Sequence, residues 1–132
     1  MALYRCSSGS GGGSLTETVL WENPNKSASF GNQEVDISAD WSTFDYIGFY
    51  CKASKDDNDS TAIAEYFLPS SMAYPFPSNM RTGVNCVQSG VVYGRNIRTV
   101  EGNNLKLYIT TAGGGSSTNN NYLTPIKIVG LK

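Results

Sequence analysis

At 132 residues, the chain has the length of one domain, and its composition is 39% hydrophobic and only 16% charged. Low charge together with 14 glycines is typical of an all-β protein rather than a helical cytosolic one. The net charge is −1 and no basic cluster occurs, which disfavours nucleic-acid binding because phosphates require a basic patch. No apolar run is long enough for a membrane span or for the core of an export signal, so we expect neither a membrane partner nor secretion.

The chain opens with residues that cannot build a core of their own. Residues 7–14 are SSGSGGGS, which predicts a flexible tether because serine and glycine bury little apolar area. Before this tether stands a short segment with apolar and aromatic residues, formed by Ala2, Leu3, Tyr4, Arg5 and Cys6. Such a segment can add as a strand to an exposed sheet edge of a partner protein. We therefore divide the chain into an N-terminal anchoring arm with its tether, 1–14, and a β-domain, 15–132.

Apolar and polar residues alternate with a period of two along the chain, whereas helical periodicity is missing. In the first half, the strands predicted from this pattern are 16–22, 33–37, 44–53 and 62–68. The residues expected to face the core are Val35, Ile37, Ile47, Phe49 and Cys51. Nothing longer than a single helical turn is expected between 36 and 45.

The second half continues the alternation, with strands predicted at 83–87, 90–100, 105–111 and 124–132. The residues expected inside are Leu105, Leu107, Ile109, Ile126 and Ile128, with Lys106, Tyr108, Lys127 and Val129 outside. We expect a loop or edge connection at the proline-containing segment 73–79 and a flexible surface loop at 112–121. Seven to nine short strands predict an all-β fold, a single antiparallel β-sandwich of jelly-roll-like size with an extended N-terminal arm.

Three cysteines, Cys6, Cys51 and Cys86, are an odd number and lack C-x-x-C spacing. A secreted domain held by disulfides would have an even and larger set, so we expect a protein made in a reducing cytosol. Cys51 and Cys86 lie in apolar runs and are predicted to be buried small hydrophobes. A bridge between these two cysteines stays open as the alternative.

The chain contains no histidine, which removes the usual general base and the usual zinc ligand. Paired carboxylates are the remaining route to catalysis, and Asp36, Asp40 and Asp45 flank the second and third predicted strands. The simpler interpretation is that Asp36 is an outward strand residue and that Asp40 and Asp45 cap a turn. We therefore predict a protein that is not an enzyme and that holds no cofactor.

An acidic run at 56–60, DDNDS, supplies clustered oxygen atoms of the kind that calcium prefers. The candidate ligands are Asp56, Asp57 and Asp59. The EF-hand pattern is not met, because neither its glycine nor its glutamate falls in register. We expect a solvated hairpin loop without a metal, and a calcium site is the weaker alternative.

Eight tyrosines and two tryptophans provide flat faces on which sugar rings can stack. The candidate contacts for a glycan, each predicted at an outward strand position or in a loop, are Tyr66, Tyr74, Tyr93, Tyr108 and Tyr122. Tyrosine is also common on β-sheets, so the same residues fit an ordinary sheet surface.

Several segments occur in an order that matches a known sequence pattern. The segments are LWEN at 20–23, Phe30, VDI at 35–37, FDYIGFY at 44–50 and TPIKIVGLK at 124–132. Their order is similar to that of a small β-domain of tailed-bacteriophage virion proteins, often found at the C-terminal end of head-fibre, tail-fibre or accessory structural proteins. The resemblance extends over residues 15–132.

The resemblance implies a β-sandwich that forms homo-oligomers, often trimers, on a particle surface, and it brings no catalytic residues. We expect a non-enzymatic virion protein that is made in the host bacterial cytoplasm. The favoured interpretation is a capsid-decorating or head-fibre protein, attached through residues 2–6 to the major capsid protein or another virion protein. The alternative is a tail-tip or baseplate receptor-binding module, whose loops at 55–60, 73–79 and 112–121 recognise a host-surface carbohydrate.

Overall fold

A computed structural model describes residues 15–72 and 82–132 of the chain. The predicted arm at 1–14 and the predicted connection at 73–79 lie outside the described residues. Regular structure in the described part consists of strands and three short 3-10 turns, at Trp41–Thr43, Asp59–Thr61 and Pro69–Met72. No helix in 15–72 or 82–132 has the length and apolar character needed to cross a membrane.

Ten strands are present in the described residues, and each predicted strand is among them with its ends within two residues of the prediction. In chain order they are β1 (Glu17–Glu22), β2 (Gln33–Asp36), β3 (Tyr46–Ser54), β4 (Ile63–Phe67), β5 (Gly83–Gln88), β6 (Val91–Val100), β7 (Asn103–Ile109), β8 (Gly113–Gly114), β9 (Ser117–Thr118) and β10 (Tyr122–Leu131).

The strands form two sheets in which every pairing is antiparallel. Sheet A has the order β1-β10-β3-β4, so the last strand lies between the first and the third. Sheet B has the order β2-β7-β6-β8-β9, and β5 pairs with the other edge of β6. Strands β3, β4 and β10 pack against sheet B, chiefly against β5 and β6. The predicted antiparallel β-sandwich is therefore confirmed.

The core lies between the two sheets and contains most of the residues predicted for it. All five core positions predicted in the first half are buried, and so are Leu107, Ile109, Ile126 and Ile128. Alternation succeeds here because successive strand side chains point to opposite faces of a sheet. The prediction for Leu105 is wrong, since 52% of its surface is exposed. Leu105 lies two residues from the start of β7, beyond the covered part of that face.

Val129 is also predicted wrongly, because it is fully buried although it lies on the outer face of sheet A. Its neighbour across the strands is Gly48, which in turn pairs with Tyr66. A Cβ atom on Gly48 would come within 2.7 Å of the Tyr66 ring and 2.9 Å of Val129. Because Gly48 has no side chain, the Tyr66 ring lies against β3 and covers Val129. The burial of Val129 therefore depends on β3, β4 and β10 together, which the pattern of one strand does not reveal.

Both described cysteines are free thiols, so the alternative of a Cys51–Cys86 bridge is not realised. Cys51 is fully buried, as predicted, and Cys86 is half-buried. Burial raises the pKa of the Cys51 thiol far above its ordinary value, because the thiolate would lose its hydration.

A buried arginine holds the two sheets together. Arg95 points inward from β6 and has no exposed surface. Its Nε donates to the carbonyl of Leu123 (2.7 Å), and its two terminal nitrogens donate to the carbonyls of Thr110 (2.6 Å) and Tyr122 (3.2 Å). The guanidinium also lies 5.4 Å from the ring centre of Phe30. Burial lowers the pKa of Arg95 to about 10, which still leaves the group charged at neutral pH.

We expect Arg95→Met to lower the free energy of unfolding by about 3–5 kcal/mol, because three buried carbonyl groups lose their donor. Urea denaturation at neutral pH measures the change. The matched control is Arg98→Met on the outer face of the same strand, which should cost well under half as much. Equal losses in the two variants would contradict the role given to Arg95.

The buried thiol predicts how stability depends on pH. An unfolded cysteine ionises near pH 8.5, whereas the folded Cys51 keeps its proton, so unfolding releases a proton above that pH. Stability should therefore fall as pH rises above about 8.5, by up to about 1.4 kcal/mol per pH unit from this group. Cys51→Val should remove that part of the slope, as measured by urea denaturation at several pH values between 7 and 10. Parallel profiles for the two proteins would contradict the prediction.

Candidate functional site

An open groove lies on the outer face of sheet B. On β6, the inward positions are Tyr93, Arg95 and Ile97, all of them buried. The alternate positions therefore face outward, and the register places residues of β5 and β8 beside them. The groove has a volume of about 750 Å³. Its principal lining residues are Asn85, Gly94, Asn96, Arg98, Thr110 and the segment 113–118.

The floor of the groove is made by two glycines on adjacent strands. Gly94 pairs with Gly113, and the same row continues to Asn85 on one side and Thr118 on the other. A Cβ atom added at Gly113 would meet nothing within 4 Å, so the space above this residue is open. The Asn85 side-chain oxygen is only 2.8 Å from the place of a Cβ on Gly94. The amide of Asn85 therefore leans over the floor from one wall.

The other wall is a small hairpin formed by β8 and β9. Gly113 pairs with Thr118 and Gly114 with Ser117, and Gly115 makes the turn with a φ of 57°, which suits glycine. The prediction of a flexible loop at 112–121 is therefore wrong for its central part. Low sequence complexity predicts flexibility, but here backbone pairing to β6 supplies the order that side chains do not.

Arg98 supplies the positive charge of the groove. Its guanidinium lies 4.7 Å from the ring centre of Tyr108, its cross-strand neighbour on β7. The Tyr108 hydroxyl in turn accepts a hydrogen bond of 2.5 Å from the side-chain amide of Asn32. The Tyr108 ring therefore orients the Arg98 guanidinium, and the hydrogen bond from Asn32 holds that ring in place. None of the described residues that line the groove is acidic.

Two of the five predicted glycan-contacting tyrosines belong to the interior and its margin. Tyr93 is buried, contrary to the outward position predicted for it, and packs edge-on against Tyr122 with 4.9 Å between ring centres. Tyr122 is half-buried and packs against the core. The error at Tyr93 arises because β6 carries tyrosine and arginine on its inner face, where apolar residues are expected.

Of the other three tyrosines, the two that the structure describes, Tyr66 and Tyr108, lie on different sheets. The ring of Tyr108 is covered by Arg98, and Tyr74 lies outside the described residues. Tyr66 is on sheet A, where its hydroxyl is hydrogen-bonded to that of Tyr50. The described tyrosines therefore do not form one stacking platform.

The acidic run at 56–60 is held by lysines. The buried Lys52 donates from its ammonium to the Asp59 carboxylate (2.7 Å) and to the Asp57 carbonyl (2.9 Å). The Asp57 carboxylate accepts from the Ser54 amide, and Asp56 pairs with Lys55. In the described part of the chain, no three acidic, cysteine or histidine side chains are grouped so as to hold a metal ion. The Lys52 ammonium therefore already supplies a positive charge to Asp59 and to the Asp57 carbonyl.

Two of the three aspartates considered for catalysis make contacts that stabilise the fold, and the third is exposed. Asp36 on β2 pairs with Lys106 across the strands at 2.5 Å. Asp40 caps the first 3-10 turn by accepting from the amide and hydroxyl of Ser42, and these hydrogen bonds lower the pKa of its carboxyl. Asp45 is exposed and immediately precedes β3. This arrangement agrees with the simpler interpretation of Asp36 and Asp40.

The sequence predicted segment 112–121, which supplies one wall of the groove, as a carbohydrate-recognising loop, but it did not predict the residues of the floor and of the other wall. The available signal was Gly94, a glycine inside a predicted strand, since such a glycine often marks close approach by a ligand or another backbone. Its partner Gly113 lies in a segment that reads as a loop, and only the strand register brings the two together.

Similarity to other proteins assigns no function to this groove. No family model matches the chain, and neither a curated protein nor a solved structure matches it. The chemistry of the groove therefore rests on its own side chains.

We expect the melting temperature to be unchanged by millimolar calcium and by EDTA, because Lys52 already neutralises Asp59 and binds the Asp57 carbonyl. Differential scanning fluorimetry at constant ionic strength measures the effect, with magnesium as the control for a general salt response. A rise of several degrees with calcium alone would restore the calcium site at 56–60.

Proposed function

We propose that this chain is a non-enzymatic structural protein of a bacteriophage virion, a capsid-decorating or head-fibre protein attached through residues 2–6. In this proposal it is made in the host bacterial cytoplasm and forms a homo-oligomer, with a trimer favoured. Two things support the proposal: the resemblance of residues 15–132 to a virion β-domain, and the relative placement of the chain ends and the groove.

The ends of the described chain meet at one end of the sandwich. The amide of Thr16 donates to the carbonyl of Lys132 (2.9 Å), and the amide of Lys132 donates to the carbonyl of Thr16 (3.1 Å). The β8–β9 hairpin comes just before the first residue of β10, at the opposite end of that strand. Because β10 has ten residues, its two ends are about 30 Å apart. The groove wall and the chain ends therefore lie at opposite ends of the sandwich.

The placement of the chain ends and the groove wall at opposite ends of the sandwich is the observation that carries the proposal. A sandwich attached through a segment that precedes residue 15 is held at the end with the paired chain ends. The hairpin wall of its groove then lies at the end away from the attachment site. The serine- and glycine-rich residues 7–14 serve as the tether between the anchor and the sandwich.

The second candidate function is a tail-tip or baseplate receptor-binding module that recognises a host-surface glycan. The groove favours it, because a polar cleft at the end away from the attachment site is placed to meet a cell surface. Segment 112–121, one of the loops predicted to recognise carbohydrate, forms a wall of the groove. The two candidates share the same attachment and differ in what the groove meets.

Deletion of residues 1–13 tests the attachment. We expect the shortened protein to remain folded, since all described strands lie in the remaining chain, but to lose binding to particles that were assembled without this protein. Co-sedimentation with such particles measures binding, and far-UV circular dichroism checks the fold.

Undiminished co-sedimentation of the folded, shortened protein would contradict attachment through the arm. Labelling of host cells by the fluorescent shortened protein separates the two candidates. Strong labelling favours the receptor-binding module, and its absence with intact decoration by the full chain favours the capsid-decorating protein.

A further inference from the structure

We propose that the groove on the outer face of sheet B binds an acidic saccharide, whose carboxylate pairs with Arg98 and whose hydroxyl groups bond to the amide and hydroxyl side chains around the glycine floor. This inference rests on the second candidate function, in which the groove meets a glycan. It goes further by naming the chemical class of the ligand and the residues that select it.

The size of the groove fits a short oligosaccharide. Its volume of about 750 Å³ falls within the usual range for small-molecule sites. The floor formed by Gly94 and Gly113 has no side chains, so a ring can approach the backbone of two adjacent strands. The unobstructed space above Gly113 lets a ligand cross the sheet toward the β8–β9 hairpin.

The walls have the hydrogen-bonding character that sugars require. Asn85 and Asn96 each carry a side-chain amide that both donates and accepts, and Thr118 carries a hydroxyl group that does the same. The Thr110 hydroxyl already donates to the Thr111 carbonyl and can only accept from a sugar. Sugar hydroxyls also donate and accept, so they can pair with either kind of group. Nucleic acid is disfavoured here, because Arg98 is the sole basic side chain among the described lining residues.

The charge of the groove selects an acidic sugar over a neutral one. Arginine presents a planar pair of N–H groups that matches the two oxygens of a carboxylate. The guanidinium of Arg98 is oriented by the Tyr108 ring. A ligand carboxylate in the groove thus meets a positive charge and no described acidic lining residue.

The test measures binding of the purified full chain to matched saccharides by isothermal titration calorimetry. The probes are oligosaccharides of galacturonate, glucuronate, mannuronate and sialate, each paired with its methyl ester. The ester keeps the hydroxyl groups and removes the charge. We expect at least one acidic saccharide to bind, and its ester to bind at least about tenfold more weakly, because the charged hydrogen bond is lost.

Variants locate the binding. Gly113→Val should abolish it, since a Cβ at this position meets no protein atom within 4 Å and the new side chain therefore takes up space in the groove. Gly31→Val is the matched control, because a Cβ there also meets nothing within 4 Å and Gly31 does not line the groove. Arg98→Gln should weaken binding of the acidic saccharide at least about tenfold and leave binding of its ester unchanged.

Several results would overturn the inference. These are absence of binding by every acidic saccharide, equal binding of acids and esters, retained binding in Gly113→Val, and equal binding of polyglutamate, a carboxylate polymer without sugar. The outcome is separate from that of the attachment proposal. Intact particle decoration without saccharide binding refutes only the groove ligand, and saccharide binding without decoration refutes only the attachment.

Discussion

The fold depends on a buried cation whose hydrogen bonds in the described structure go to backbone carbonyls. Arg95 is satisfied by the carbonyls of Thr110, Tyr122 and Leu123, which stand on either side of the segment that forms the β8–β9 hairpin. Removing a charge from water is costly, so this arrangement is stable only while all three carbonyls stay in place. The guanidinium on the inner face thereby fixes both ends of the hairpin segment. The same contacts position a wall of the groove on the outer face, which links the core to the candidate site.

The hydrogen bonds of Arg95 thus hold the groove wall in place. A binding site that is held in place before the ligand arrives loses little conformational entropy on binding. The floor consists of paired backbone, and Arg98 is oriented by Tyr108, whose hydroxyl is bonded to Asn32. The chain ends, paired through Thr16 and Lys132, lie at the opposite end of the long strand β10. The paired chain ends and the hairpin wall of the groove therefore lie at opposite ends of β10, and the two proposed roles make use of this separation.

Sequence patterns succeeded where the information is local and failed where it depends on a neighbouring strand. Alternation correctly assigns Ile47, Phe49 and Cys51 to the core, because strand geometry alone sends them to one face. The same pattern leaves Val129 exposed, whereas the structure buries it under the ring of Tyr66 in space left by Gly48. Alternation also predicts a loop at 112–121, because the two-residue strands β8 and β9 consist of glycine, serine and threonine and have no apolar alternation.

The sequence by itself determined the all-β class, the position of every long strand and most of the core, because residue type and alternation act within a single strand. Only the tertiary structure decided how the floor of the groove is assembled. Gly94 and Gly113 become neighbours through strand register, which is a long-range property that no local pattern encodes. The inward position of Arg95 was likewise decided by the fold. Its charge is stable in the interior because three backbone carbonyls that are distant in the sequence accept its hydrogen bonds.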